Sequence, residues 1–124
     1  MRKKILWGEQ VPGRNRVRGG HFRGIVGHPE YIVEKIGSSS INPGCAIVKY
    51  IKQFPGGRVS KIKKSTLFPR GWSKSHIIKA IEHVANNPTT TVLKGGSTFI
   101  TGKIRGVTIE VIIRGDKIVS GYPL

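Results

Sequence analysis

Ser73-Lys74-Ser75-His76-Ile77-Ile78-Lys79-Ala80-Ile81-Glu82-His83-Val84-Ala85-Asn86-Asn87-Pro88 is the stretch that decides the fold. Ser73 is a good N-cap, because its hydroxyl can accept a hydrogen bond from a main-chain N–H of the first turn. Ile77, Ile81 and Val84, with Ile78 and Ala85 beside them, recur at helical spacing until Asn86-Asn87-Pro88 ends the pattern. The spacing predicts one helix over 73–87, and its apolar stripe must lie on something. The flanking segments are β in character, so a sheet is the only candidate.

Beyond the helix, 90–93, 98–101, 107–114 and 117–122 read as strands. Val107, Ile109, Val111 and Ile113 alternate with Thr108, Glu110, Ile112 and Arg114, which gives one apolar and one mostly polar face. Arg114-Gly115-Asp116-Lys117 is a tight turn into the last strand. Before the helix, 4–7 is a short strand or a helix end, and 8–20 is loop. Segments 21–26 and 31–36 lean to β around the Gly27-His28-Pro29 turn, and 37–44 is a Ser/Asn/Pro/Gly loop. A strand within 45–53 then meets a second over 58–65 across Pro55-Gly56-Gly57, a hairpin signal. The expectation is a single α+β domain over 1–124 with a mostly antiparallel sheet.

Lysine and arginine outnumber acids 22 to 6 in the 124 residues, a formal charge of +16. That balance calls for a polyanionic partner: nucleic acid, an anionic membrane surface or an acidic protein. Cys45 is the only cysteine, which excludes an internal disulfide and cysteine-rich zinc sites. The chain shows neither an apolar run long enough to span a bilayer nor a signal peptide, so no stable membrane anchor or export address is expected.

Arg14-Asn15-Arg16-Val17-Arg18-Gly19-Gly20-His21-Phe22-Arg23 is the densest basic stretch. Arg14, Arg16, Arg18 and Arg23 offer planar donor forks that suit phosphate, and the glycines let the backbone approach a ligand. His21, with an ordinary pKa near 6.5, can give or take a proton near neutrality. No metal-hydrolase, EF-hand, P-loop or Ser-hydrolase motif is present. Six scattered acids also argue against a two-metal carboxylate cluster, so neither metal nor cofactor is expected. A basic protein of this kind would cut RNA by using the substrate's own 2'-hydroxyl, which needs a base, an acid and cations for the phosphorane.

His21 is the first candidate for the acid/base pair. His28 could turn back toward the same cleft or be an exposed turn histidine, and His76 and His83 flank the helix stripe. Lys61, Lys63 and Ser65 share a strand face by period two, which offers cations and a hydroxyl; Lys64 lies beside them. Ser120 and Tyr122 share a face in the same way, with a ring that could stack on a base.

Several motifs in order resemble the bacterial EndoU nuclease family. They are Ile5-Leu6-Trp7-Gly8-Glu9, Gly19-Gly20-His21, the Lys64-Ser65-Thr66-Leu67-Phe68-Pro69-Arg70-Gly71-Trp72-Ser73 run before the helix, and the closing Ser120-Gly121-Tyr122-Pro123. The resemblance implies a barnase/EndoU/colicin/RelE-like fold related to ribonuclease A, with two antiparallel sheets flanking a cleft. It implies RNA transesterification to a 2',3'-cyclic phosphate, often at uridine, with tRNA among the substrates. It also implies the tip of a larger secreted toxin, such as those of contact-dependent growth inhibition, that acts in the target-cell cytoplasm and is neutralised by an immunity protein. The charge makes that partner acidic, and the domain is expected to act as a monomer. By resemblance His21 is a catalytic histidine, Ser120 and Tyr122 shape the nucleobase site, and Lys61 is the candidate for the family's lysine. Where the family has a second histidine, this chain has Lys4. Either His28 or Lys4 takes over that task, or the domain is impaired and only binds RNA.

Overall fold

The computed structural model describes residues 2–124. Helix α1 (Arg2–Trp7) leads into two-residue strands β1 (Glu9–Gln10) and β2 (Val17–Arg18), then a 3-10 turn over Arg23–Ile25. Strands β3 (Tyr31–Ser38), β4 (Ala46–Lys52) and β5 (Lys63–Thr66) precede α2 (Lys74–Asn86). Four strands follow: β6 (Thr90–Lys94), β7 (Ser97–Ile104), β8 (Val107–Arg114) and β9 (Lys117–Pro123). The architecture is α+β, with antiparallel sheets ordered β3-β4-β5 and β6-β7-β8-β9 and the small β1-β2 ribbon beside them.

The helix predicted from Ser73 is present. The Ser73 hydroxyl accepts from the His76 main-chain N–H at 3.1 Å, as an N-cap does. Ile77, Ile81 and Val84 are buried with Ile109 and Val111 of β8 and Ile100 of β7, so the helix stripe meets the apolar face read from the alternation. Ile5 and Leu6 of α1, Phe68 and Cys45 complete this core. Burial pushes the Cys45 thiol up to about 11, as befits a packing residue. A second core joins Val17, Ile25, Tyr31, Val48, Tyr50 and Leu67 beneath the three-stranded sheet, and Trp7 packs against both cores.

Three expectations need correction. Residues 21–26 form no strand, because the main chain of 20–22 is used by α1 and the chain then turns through the 3-10 segment. The second hairpin strand is shorter than 58–65: only Lys63–Thr66 pairs continuously with β4, while Val59 makes an isolated bridge to Gln53. Lys61 therefore lies outside the strand, and its main-chain N–H donates to Asn15 O. The third concerns 8–20, expected as loop, which holds the β1–β2 ribbon, while 4–7 form the helix end that is one of their two readings.

Candidate active site

Helix α1 is only six residues long, and its last carbonyls would be left without donor partners on their own. Gly8 N–H donates to Lys4 O at 3.0 Å, and the Gly-Gly-His stretch adds a second donor there and supplies the donors for Ile5 and Leu6. Gly20 N–H donates to Lys4 O (3.1 Å), His21 N–H to Ile5 O (2.8 Å) and Phe22 N–H to Leu6 O (3.1 Å). On its other side His21 O accepts from Phe68 N–H at 2.8 Å. The histidine backbone is thus bound to both α1 and the end of β5.

Two glycines make this approach possible. Gly19 and Gly20 have φ of +82° and +78°, left-handed values that favour glycine. A Cβ at Gly19 would lie 1.8 Å from Lys4 O, and one at Gly20 would lie 2.5 Å from the Tyr50 hydroxyl. Tyr50 is itself buried and donates to Gly19 O at 3.0 Å, so it cannot move aside without losing that bond.

His21 is 6% exposed. Its Nδ1 lies 2.8 Å from Thr66 O and 3.0 Å from Ser65 Oγ, while Ser65 Oγ donates to Gly20 O at 2.9 Å. A carbonyl can only accept, so Nδ1 carries the proton and Nε2 has the free lone pair. Among the described residues no buried side-chain polar atom lacks a hydrogen-bond partner, and Nε2 has none, so Nε2 reaches the solvent of the cleft. Burial holds the His21 pKa down at about 4; the Thr66 carbonyl opposes the shift and Lys63 adds to it. At neutral pH the ring is a neutral base aimed outward.

The cleft it faces has a volume of about 660 Å³. One wall carries His21, Arg18, Lys63, Lys64, Ser65 and Thr66. The opposite wall is the β8–β9 ladder, where Ser120 pairs with Ile112 and Tyr122 with Glu110. The Tyr122 ring lies 5.6 Å from that of His21, and its hydroxyl donates to Glu110. Burial and this carboxylate raise the Tyr122 phenol pKa, so it stays a neutral donor. Lys4 closes one end: its ammonium donates to Val119 O at 2.8 Å. Burial and the neighbouring Arg18 lower its pKa, Glu9 opposes that, and Arg114 adds to it.

The cleft thus assembles His21, Lys4, Ser65, Ser120, Tyr122 and Arg18 from the sequence candidates. Arg14, Arg16 and Lys61 line a neighbouring groove instead. His28 does not line the cleft. It sits between Trp7 and Tyr31, with ring centroids 5.4 and 5.2 Å away, and its Nδ1 accepts from Glu30 N–H. Arg23 is turned to packing duty, donating to Phe68 O and Gly44 O. The lysine beside His21 is Lys63, half-buried on β5, rather than Lys61.

Sequence reasoning missed Ile112 and Arg114 as cleft residues and Glu110 as the partner of Tyr122. The signal was available, since all three lie on the mostly polar face of β8.

A small α+β domain with a basic cleft between two sheets, a buried histidine and no carboxylate in the cleft lining is built as a nuclease fold. The chain belongs to the bacterial EndoU nuclease family, whose model matches residues 1–124. No curated protein and no solved structure matches it. Among the described residues no helix is long and apolar enough to cross a membrane.

Proposed function

We propose that the domain is an endoribonuclease toxin module that cleaves RNA, tRNA included, by metal-independent transesterification. His21 Nε2 takes the proton from a ribose 2'-hydroxyl as the 2'-oxygen bonds to phosphorus. The bond from phosphorus to the 5'-oxygen breaks, and the Lys4 ammonium gives that oxygen its proton. The products are a 2',3'-cyclic phosphate and a 5'-hydroxyl. Lys63 and Arg18 balance charge on the phosphorane, and the Tyr122 ring with Ser120 receives the nucleobase.

The single observation that carries the reading is the 2.8 Å contact of His21 Nδ1 with Thr66 O, a carbonyl that can only accept, in a histidine that lines a cationic cleft. It supports His21 as the base and leaves the acid to a cationic group of the same cleft, Lys4. An approaching phosphate favours the imidazolium and so raises the His21 pKa during the proton transfer. A bound acidic immunity protein, monomeric action and delivery into a target cell by a larger secreted toxin belong to the same proposal and rest on family membership and charge.

The test is incubation with mixed tRNA in EDTA and analysis of the ends. Cleavage to cyclic-phosphate ends that drops about 1000-fold or more in His21→Ala is expected. Tight RNA binding without cleavage by the unaltered domain would leave it an RNA-binding module.

A further inference from the structure

A groove of about 400 Å³ adjoins the cleft, walled by the β1–β2 ribbon on one side and the approach to β5 on the other. Arg14, Arg16 and Lys61 line it and do not line the cleft; Arg18, Lys63 and Lys64 line both. The groove is a built feature: Val11 N–H donates to Arg16 O, Arg14 N–H to Val11 O, and Lys61 N–H to Asn15 O, which ties the ribbon to the opposite wall. Its lining contains no carboxylate, so the six cations face one another across it. It also contains Val11, Val17 and Ile62, and Ile62 is 66% exposed.

Like charges gathered around a concavity repel one another unless an anion sits between them. Cations continuous with those of the cleft, with apolar side chains among them, fit a strand whose phosphates repeat and whose sugars and bases present flat apolar surface. We propose that this groove is a second RNA-binding subsite that holds backbone phosphates on one side of the scissile bond, so that the domain prefers extended single strands to dinucleotides. The idea rests on the RNA-cleaving reading of the cleft. It adds that Arg14, Arg16 and Lys61 serve affinity through length.

The experiment measures binding of uncleavable 2'-O-methyl oligonucleotides, a dinucleotide against a decamer, and KM for the corresponding RNAs. The decamer is expected to bind about tenfold or more tighter than the dinucleotide. In Arg14→Ala/Arg16→Ala/Lys61→Ala that gain collapses. The log-log salt slope for the decamer falls by about 0.7 for each phosphate that is no longer neutralised. The variant Arg14→Lys/Arg16→Lys/Lys61→Arg keeps most of the gain, which separates charge from a folding defect. If nothing is cleaved yet the length gain and its loss are seen, the groove stands and the catalytic reading falls. If dinucleotides are cleaved and bound as well as decamers, or the alanine variant binds the decamer with the wild-type slope, the groove proposal is overturned.

Discussion

The cleft wall that carries His21 joins an irregular Gly-Gly-His segment to strand β5, whereas the wall that carries Ser120 and Tyr122 is regular antiparallel sheet throughout. On the first wall the groups for chemistry are fixed by main-chain bonds to α1 and β5 and by two glycines in left-handed conformation. On the second, side chains point into the cleft because period two places them there, and the opposite face is held by α2. A proton-transfer group needs one ring orientation and one tautomer, which a set of specific contacts can impose. A base-recognition surface needs a flat, rigid platform, which a sheet provides.

The difference can be broken most severely at the first wall. Gly19→Ala sets a Cβ against Lys4 O and strains φ, so it should cost about 3 kcal/mol or more of stability, read by urea denaturation. Retained wild-type stability would show that the α1 contact is dispensable.

Proton linkage tests the same wall more gently. His21 titrates at about 4 folded and near 6.5 unfolded, so below 6.5 the unfolded chain binds the extra proton. Stability should therefore be full above about pH 6.5 and fall as pH drops to about 4, by up to about 3 kcal/mol from this group. In His21→Ala that part of the pH dependence disappears. The difference between the two denaturation series isolates it from the carboxylates.

The second wall should respond in binding rather than in folding. Tyr122→Ala is expected to raise KM by about tenfold or more through lost base stacking. Tyr122→Phe keeps the ring and costs only a few-fold, and Glu110→Gln, which still accepts from the phenol, costs less again. A large kcat loss in Tyr122→Phe would instead place the phenol in the chemistry.

These regions also differ in how far the sequence revealed them. Helix α2 and strand β8 were legible because apolar residues repeat at 3.6 and 2 over long runs, whereas β7, without such a run, extends to Ile104 beyond the expected 98–101. Gly19-Gly20 marked the site for a physical reason that the fold supplies in full, the closeness of Lys4 O and Tyr50. What local pattern could not give was partnership across the chain. His28 and His21 lie seven residues apart, yet the 3-10 turn sends one into an aromatic cluster and the other into the cleft. Lys61 and Lys63 share a phase by counting, but the strand begins only at Lys63. Arg114 lies on the mostly polar face that the β8 alternation marks, but only the fold shows that this face forms a wall of the cleft.

If His21 takes a proton and Lys4 gives one, changing the leaving group should separate the two residues. Lys4→Ala is therefore to be compared on a uridine dinucleotide, whose leaving alkoxide needs a proton, and on uridine 3'-(para-nitrophenyl phosphate), whose leaving phenolate does not. A loss of about 100-fold or more is expected on the first substrate and under about tenfold on the second, with His21→Ala impaired on both. Equal losses on the two substrates in Lys4→Ala would refute that division of labour.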